Sequence, residues 1–258
     1  MSEIQKPKPT IENLKVYESM MKEYIECTSN DECFVLSLGN KALEYQNQFD
    51  WFCSVYEENS AVGVKDALGN VVIPALYEDI FNLPVYEYIE EVPFIAQKDG
   101  LLGLVRVQGG VAREITGFEY DDVYAVEFTH YTAVRKAGSD KWGLVDFEGN
   151  SVIPAEMDSI CSSSVNGHIY VSKDGKEGVY DYVLDCFAYP EYDSIDGMGE
   201  GKDLTFVKNG VAGHVDVNGK FYDLETLNRF YDGEMYDAEG NLIFEGDGEP
   251  ELIYDHLD

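Results

Sequence analysis

The chain has 258 residues, with 18 Lys and Arg against 50 Asp and Glu, a net charge of −32, and 45% hydrophobic residues. That hydrophobic share excludes a disordered chain and supports one or two domains with a sizeable core. The acidity excludes a phosphate-tracking nucleic-acid binder and a binder of anionic membranes, keeps a strand-rich chain soluble, and leaves room for a protein partner, possibly basic, steered by long-range attraction.

The opening MSEIQKPKPT holds no apolar run of signal-peptide length, and nowhere do 18 apolar residues follow one another. Residues 1–9, with two prolines, read as a loose arm. Thr10 can cap a helix reaching about Cys27, with Leu14, Tyr17, Met21, Tyr24 and Ile25 on one side. A second helix can start after Asp31, with Phe34, Leu38, Ala42 and Tyr45 as its stripe and Gly39 as its weak point. Residues 1–49 are therefore expected to form a helical cap. The cysteines, Cys27, Cys33, Cys53, Cys161 and Cys186, are odd in number, scattered and without a CxxC pair, which predicts reduced thiols and a cytoplasmic location.

From about Asp50 the pattern changes to strands and begins to repeat. Residues 61–80 (AVGVKDALGNVVIPALYEDI) and 141–160 (KWGLVDFEGNSVIPAEMDSI) share a glycine, an aspartate, a Gly-Asn pair, Val-Ile-Pro, an acid and Ile. Weaker copies centre on Gly103, Gly178 and Gly213, so the anchors Gly63, Gly103, Gly143, Gly178 and Gly213 are 40, 40, 35 and 35 residues apart. Such a period marks a repeat architecture in which each copy buries its apolar face on its neighbours. In the third copy, residues 131–136, 141–147 and 151–153 predict three strands. First strands recur at 94–98, 169–173 and 204–208, each ending in Lys, read as a solvated charge that protects an edge.

Asp66 and Asp146, each followed by glycine three residues on, predict turns in which the carboxylate accepts backbone N–H groups; Asp181 and Asp216 hold the same place, and Asp237 with Gly240 echoes it. The anchor glycines lie inside strands, which implies that an aromatic ring or the backbone of an adjacent repeat fills their space. Pro74 and Pro154 are expected to end the third strand. Tyr77, Met157 and Tyr192 follow their anchors by 14 residues and are expected to wedge between repeats, whereas Tyr120 follows by 17 and implies an insertion. Copy two carries Arg106 in place of the aspartate, copy four lacks the Gly-Asn turn, and copy five loses Val-Ile-Pro. Residues 223–258, strongly acidic, are read as a C-terminal cap with a short helix near 224–230 and a hairpin EMYDAEGNLIFEG.

Lys141-Trp142-Gly143-Leu144-Val145-Asp146, then Gly149-Asn150, Val152-Ile153-Pro154 and Asp158-Ser159-Ile160, resemble the WG-repeat (KWG-repeat) family, found mainly in bacteria. The resemblance covers roughly residues 50–223, and only copy three has the tryptophan. It implies a β-rich repeat domain, usually without an assigned biochemical role, and supplies no catalytic residues.

Each acidic turn offers one or two carboxylates, short of what calcium needs. His130, His168, His214 and His256 are isolated, without zinc spacing. Cys161-Ser162-Ser163-Ser164 near His168 lacks a nucleophile elbow and reads as a polar loop. No metal and no cofactor is expected. The expected fold is mainly β: about five three-stranded antiparallel units over residues 50–222 in a curved or superhelical array with an N-terminal helical cap, or, alternatively, a closed propeller-like ring. The expected function is non-enzymatic protein binding. The alternatives are an acidic antagonist of a basic toxin or nucleic-acid-binding protein, of the immunity type, and an enzyme whose site is assembled across repeats.

Overall fold

A computed structural model describes residues 6–27, 32–84, 88–126, 129–163, 167–196, 204–224, 235–236, 242–244 and 252–253. The protein is mainly β, with two helices and several antiparallel sheets. The chain divides into two compact units, one of residues 1–121 with 147–149, the other of residues 122–146 with 150–258.

The first unit opens with α1 (Ile11–Ile25) and α2 (Glu32–Gln46). Thr10 Oγ1 accepts the Asn13 N–H, and Asn13 Oδ1 accepts the Thr10 N–H, a reciprocal cap that satisfies two otherwise orphaned donors. Tyr17, Ala42 and Trp51 form a small core with Leu14, Met21 and Tyr45. The α1 stripe stops short of expectation, because Ile25 is exposed. α2 runs through Gly39, where a Cβ would stand 3.1 Å from the Tyr24 ring. The space for that ring offsets the propensity that glycine loses. Asp31 and the Phe34 side chain lie outside the described residues. Within the expected loose arm, residues 1–5 lie outside the described residues, and the described end is tied down: the Asp50 N–H donates to the Pro7 carbonyl, and Lys8 pairs with Asp50 at 3.0 Å.

Strands β1 (Ser54–Glu58), β2 (Ala61–Lys65) and β3 (Val71–Tyr77) form an antiparallel meander. β4 (Asp79–Phe81), β5 (Phe94–Lys98), β6 (Leu101–Gln108) and β7 (Val111–Glu114) form the next, in that order. One core joins Val64, Ile73 and Tyr77 with Ile80, Phe94 and Val105.

β8 (Tyr120–Ala125) starts in the first unit and ends in the second. The second unit continues with β9 (Tyr131–Lys136), β10 (Trp142–Asp146) and β11 (Ser151–Met157). Then come β12 (Ser159–Ser163), β13 (His168–Lys173), β14 (Lys176–Asp181) and β15 (Cys186–Tyr192), paired in that order. β16 (Ser194–Asp196), β17 (Thr205–Lys208), β18 (Val211–Val215) and β19 (Phe221–Asp223) do the same. Its two larger cores each span consecutive copies: Leu144, Ile153 and Met157 with Ile160 and Ile169, then Val179 and Tyr192 with Ile195 and Phe206.

The expectation of three strands per copy is corrected. Around β5, β13 and β17 a fourth, leading strand precedes the three, starting two residues after the previous wedge, so Tyr77, Met157 and Tyr192 pass straight into β4, β12 and β16. These segments are short, with one buried Ile between a half-buried and an exposed residue, and so carry little periodicity.

In the tail, β20 (Met235–Tyr236) pairs β21 (Leu242–Phe244) with Met235 opposite Phe244 and Tyr236 opposite Leu242. This register repeats Leu144 opposite Ile153 and Val145 opposite Ser151. Asp237, Gly240 and the expected helix near 224–230 lie outside the described residues, apart from Leu224. Ile253 is buried between copy-five strands, its carbonyl accepting from Leu204 and its N–H donating to the Val215 carbonyl.

A candidate interaction surface

The repeated residues build the copies before they build any site. Opposite the anchor glycines of copies one, three and four the third strand bulges: in copy one Val62 faces Tyr77 and Val64 faces Ile73, so two residues along β2 span four along β3. Copies three and four repeat this, with Trp142 facing Met157 and Leu144 facing Ile153, then Glu177 facing Tyr192 and Val179 facing Ala188. The bulged backbone presses on the glycine. A Cβ at Gly63 would lie 2.6 Å from the Ile73 carbonyl oxygen, one at Gly143 2.9 Å from Ala155 N, and one at Gly178 2.6 Å from the Ala188 oxygen. At Gly213 the Tyr222 oxygen would stand 2.1 Å away, and at Gly103 the Gly117 oxygen 3.0 Å away. At Gly63, Gly143, Gly178 and Gly213 the occupant is therefore the third strand of the same copy, joined at Gly63 and Gly213 by a ring of that copy; at Gly103 it is the Gly117 carbonyl and the Phe118 ring, past β7, and nowhere an adjacent repeat. Pro74 and Pro154 do not end that strand. They sit in its middle, at the bulge, where no ladder hydrogen bond needs their missing N–H. Tyr120 stands opposite Leu102, as Tyr77 stands opposite Val62, so the insertion lies before it.

The four turn aspartates act locally. Asp66 Oδ1 accepts from Leu68 N at 2.9 Å and Asn70 N at 2.8 Å. Asp146 accepts from Asn150 N at 2.7 Å, and Asp216 from Asn218 N and Lys220 N, both at 2.9 Å. Gly69, Gly149 and Gly219 follow with φ of 89°, 85° and 80°, the left-handed place a side chain resists. In copy four Asp185 takes the left-handed conformation (φ 52°), and Asp181 still accepts from Val183 N at 3.0 Å and Leu184 N at 2.9 Å. Arg106 has a different job. Its guanidinium donates to the Glu90 and Phe147 carbonyls at 3.2 and 3.3 Å and pairs with Glu148.

Charged side chains then stitch consecutive copies. The N–H groups of Glu78, Asp158 and Asp193, one residue past each wedge, donate to the carbonyls of Gln97, Ser172 and Val207. Their carboxylates accept the hairpin N–H groups of Gly100, Asp174 and Gly210 at 3.0, 2.7 and 2.9 Å. Lys141 and Lys176, two residues before their anchors, pair with Asp158 and Asp193. These lysines, with the hairpin N–H groups, hold both carboxyls below the usual carboxylate range. Lys173 pairs with Glu156 at 2.8 Å and Lys208 with Glu191 at 2.6 Å, each across a junction. Lys98 pairs with Glu114 at 3.4 Å. The strand-ending lysines are thus ion-paired, not merely solvated. The acid 15 residues after the anchor, at 78, 158 and 193, was visible in the aligned copies; the lysine that reaches it was not.

Trp142 is half-buried, with its ring 5.1 Å from Tyr124 and the Arg135 guanidinium 5.2 Å above it. Tyr77 and Tyr192 are buried, and loss of solvent pushes both phenols up, Tyr77 to about 12. Tyr192 packs 4.8 Å from Phe206. The considered nucleophile cluster is not assembled. Cys161 is exposed opposite Tyr170, whereas His168 is fully buried with Nε2 3.3 Å from Asp181 Oδ2. Among the described residues no group of three His, Cys, Asp or Glu converges to hold a metal.

What faces solvent differs most in copy one. Phe52, Val55, Val71 and Leu76 are exposed there, beside exposed Glu57 and Glu58. Leu76 takes the place of Glu156 and Glu191, and Glu58 that of Lys173 and Lys208, so copy one holds an apolar and acidic surface where later copies hold ion pairs.

A family model described as the WG containing repeat matches residues 63–89 and 142–176, so the chain carries this repeat at those two stretches. No curated protein matches the chain. Among solved structures, Kluyveromyces lactis Hsv2 is similar at 10% identity over 51% of this chain and 46% of that one, with a TM-score of 0.26. The N-terminal domain of Nup159 is similar at 13% identity over 66% of this chain and 57% of that one, with a TM-score of 0.24. The chain spans about half the length of these structures, and neither likeness is close enough to transfer a fold or a role.

Proposed function

We propose that the protein is a non-enzymatic, cytoplasmic binding module that engages a basic protein, with five consecutive copies of the repeat as its scaffold. The observation that carries this reading is where the carboxylates go. The recurring acids at 66, 146, 181 and 216 are spent on hairpin turns, and those at 78, 158 and 193 on junctions. The conserved-looking positions of the repeat therefore serve the scaffold, and the remaining surplus behind a net charge of −32 is left for recognition. Such a field raises the encounter rate of a cationic partner and repels nucleic acid and anionic lipid. Among the described residues no disulfide joins Cys27, Cys53, Cys161 or Cys186, which supports a reducing compartment. No described helix is long and apolar enough to cross a membrane.

Affinity capture from native cell extract tests the reading. The expected result is one retained basic protein that elutes steeply between roughly 0.1 and 0.5 M salt, as screening removes long-range attraction. An antagonist role predicts that the same protein loses a measurable activity on binding. Retention of nothing at low salt, or of a partner indifferent to salt, contradicts the proposal.

A further inference from the structure

We propose that the outer edge of β1 is a docking site for an extended segment of a basic protein partner, carrying Lys or Arg at its head and Ile or Val two residues on. This rests on the binding-module reading and specifies its surface and the chemistry it recognises.

The template is inside the molecule. Three leading strands share one pattern: an acid, then Asp or Ser, then Ile, at Glu78-Asp79-Ile80, Asp158-Ser159-Ile160 and Asp193-Ser194-Ile195. Ile80, Ile160 and Ile195 are buried and stand opposite Ala96, Val171 and Phe206, the residues that pair with the anchor glycines on the other side. The head residue supplies an N–H to the first strand's carbonyl and a carboxylate to its hairpin turn. These strands show what the edge of a first strand accepts.

Copy one offers the same edge without the occupant. Tyr56 pairs with Gly63, as Ala96 pairs with Gly103, so Glu57 holds the place of Gln97, Ser172 and Val207. Among the described residues no strand pairs with the outer side of β1, which ends its three-stranded sheet. The Cys53 N–H points away from β2, to the Pro84 carbonyl at 3.1 Å. By the alternation of an antiparallel ladder, Val55 and Glu57 point the same way. The open stretch is therefore Val55–Glu57, three residues, the length of β4 and of β16. Its surface is correspondingly bare: Val55 is 48% exposed, where the equivalent Ile95 is 7% exposed. An incoming Ile opposite Tyr56 would lie on the same face and cover the half-buried ring.

Charge fixes the difference from the internal strands. The first strand closes with Lys98, Lys173 or Lys208 in the other copies and with Glu58 here, preceded by Glu57. The internal acidic heads Asp158 and Asp193 pair with Lys141 and Lys176 from the preceding copy. Here no such lysine is offered among the described residues, and the negative field of Glu57 and Glu58 favours a basic head by opposite charge. Added strands draw affinity from main-chain hydrogen bonds and specificity from alternate side chains, so the signature Lys-x-Ile is readable at this edge.

The test uses the full chain and capped nine-residue peptides, followed by fluorescence anisotropy. A peptide with central Lys-Ser-Ile should bind, and those with Glu-Ser-Ile or Lys-Ser-Asp should bind at least about tenfold more weakly. Val55→Pro removes the outward N–H and should abolish binding. The double variant Glu57→Lys with Glu58→Lys leaves the backbone alone and should invert the preference toward Glu-Ser-Ile. Equal binding of all three peptides, or a preference unchanged by charge reversal, overturns the proposal. A cellular partner held equally by wild type and by a folded Val55→Pro variant also overturns it while leaving the module reading intact. A wild-type chain that captures no partner from extract sinks the module reading itself.

Discussion

Copies one and four part company in an instructive way. Copy one has the full sequence signature, with Gly69-Asn70, Val72-Ile73-Pro74 and the following acid, yet among the described residues it has three strands and no Lys–Glu stitch of the kind seen later. Copy four has lost Gly-Asn and reads YVLDCFAYP, yet it has four strands, a bulge over Gly178, and ion pairs at both ends. Resemblance to the consensus therefore does not measure structural completeness. The signature encodes the hairpin and bulge inside a copy. Completeness depends on what precedes the copy, and among the described residues the elements before β1 are two helices.

The comparison breaks most directly at the glycines. Gly178→Ala and Gly63→Ala should each cost about 3 kcal/mol, because a new Cβ meets backbone that cannot give way. Denaturant midpoints at unchanged slope would measure this, and a loss under about 1 kcal/mol at either site would refute the close-approach account. Met157→Ala should follow at about 3 kcal/mol, since Met157 is fully buried between copies three and four. Leu76→Ala, at an exposed position of copy one, should stay within about 0.5 kcal/mol.

The turn aspartates separate the copies more finely. Asp66→Ala strands the backbone donors of one turn and should cost about 1–2 kcal/mol. Asp181→Ala also takes the carboxylate from fully buried His168 and should cost about 3 kcal/mol. Equal losses at the two sites would mean that the His168 contact contributes nothing.

The smallest expected effect is on acidification. Glu156, Asp158 and Asp193 have carboxyls held below their ordinary value, chiefly by the hydrogen bonds from Lys173, Lys141 and Lys176. Groups depressed on folding stabilise the fold above their unfolded value, near about 4, and that contribution fades as pH falls through the lower folded value. Junctions three-to-four and four-to-five should loosen below about pH 4, less so in high salt, more than the first hairpin of copy one, where no ion pair of this kind is among the described residues. Hydrogen exchange corrected for its intrinsic pH dependence would show whether the two regions part.

Much of the fold was legible because the repeat aligns with itself. The five anchors, the turn aspartates and the wedges at Tyr77 and Tyr192 could be placed by spacing alone. The leading strands were not legible, since Asp79-Ile80-Phe81 has one buried residue and no period to read. Nor was the glycine's true neighbour: a bulge is a register property, and Pro74 looked like a strand end because its tolerance depends on a partner strand that the sequence does not display. The stitches escaped for a similar reason, because Lys141 and Asp158 are 17 residues apart and meet only once both strands are paired. Arg106 looked like decay of a motif, although it gains three partners.

The account turns on copy one being the copy whose first strand has an open side, and residue-resolved amide hydrogen exchange on the free protein reads this most directly. Val55 and Glu57 should exchange at least about a hundredfold faster than Ile95 and Gln97, their counterparts beside β4, because among the described residues the latter have a strand to bond to and the former do not. Comparable protection at all four amides would show that the β1 edge is already paired, and the proposed docking site would have no room for a partner.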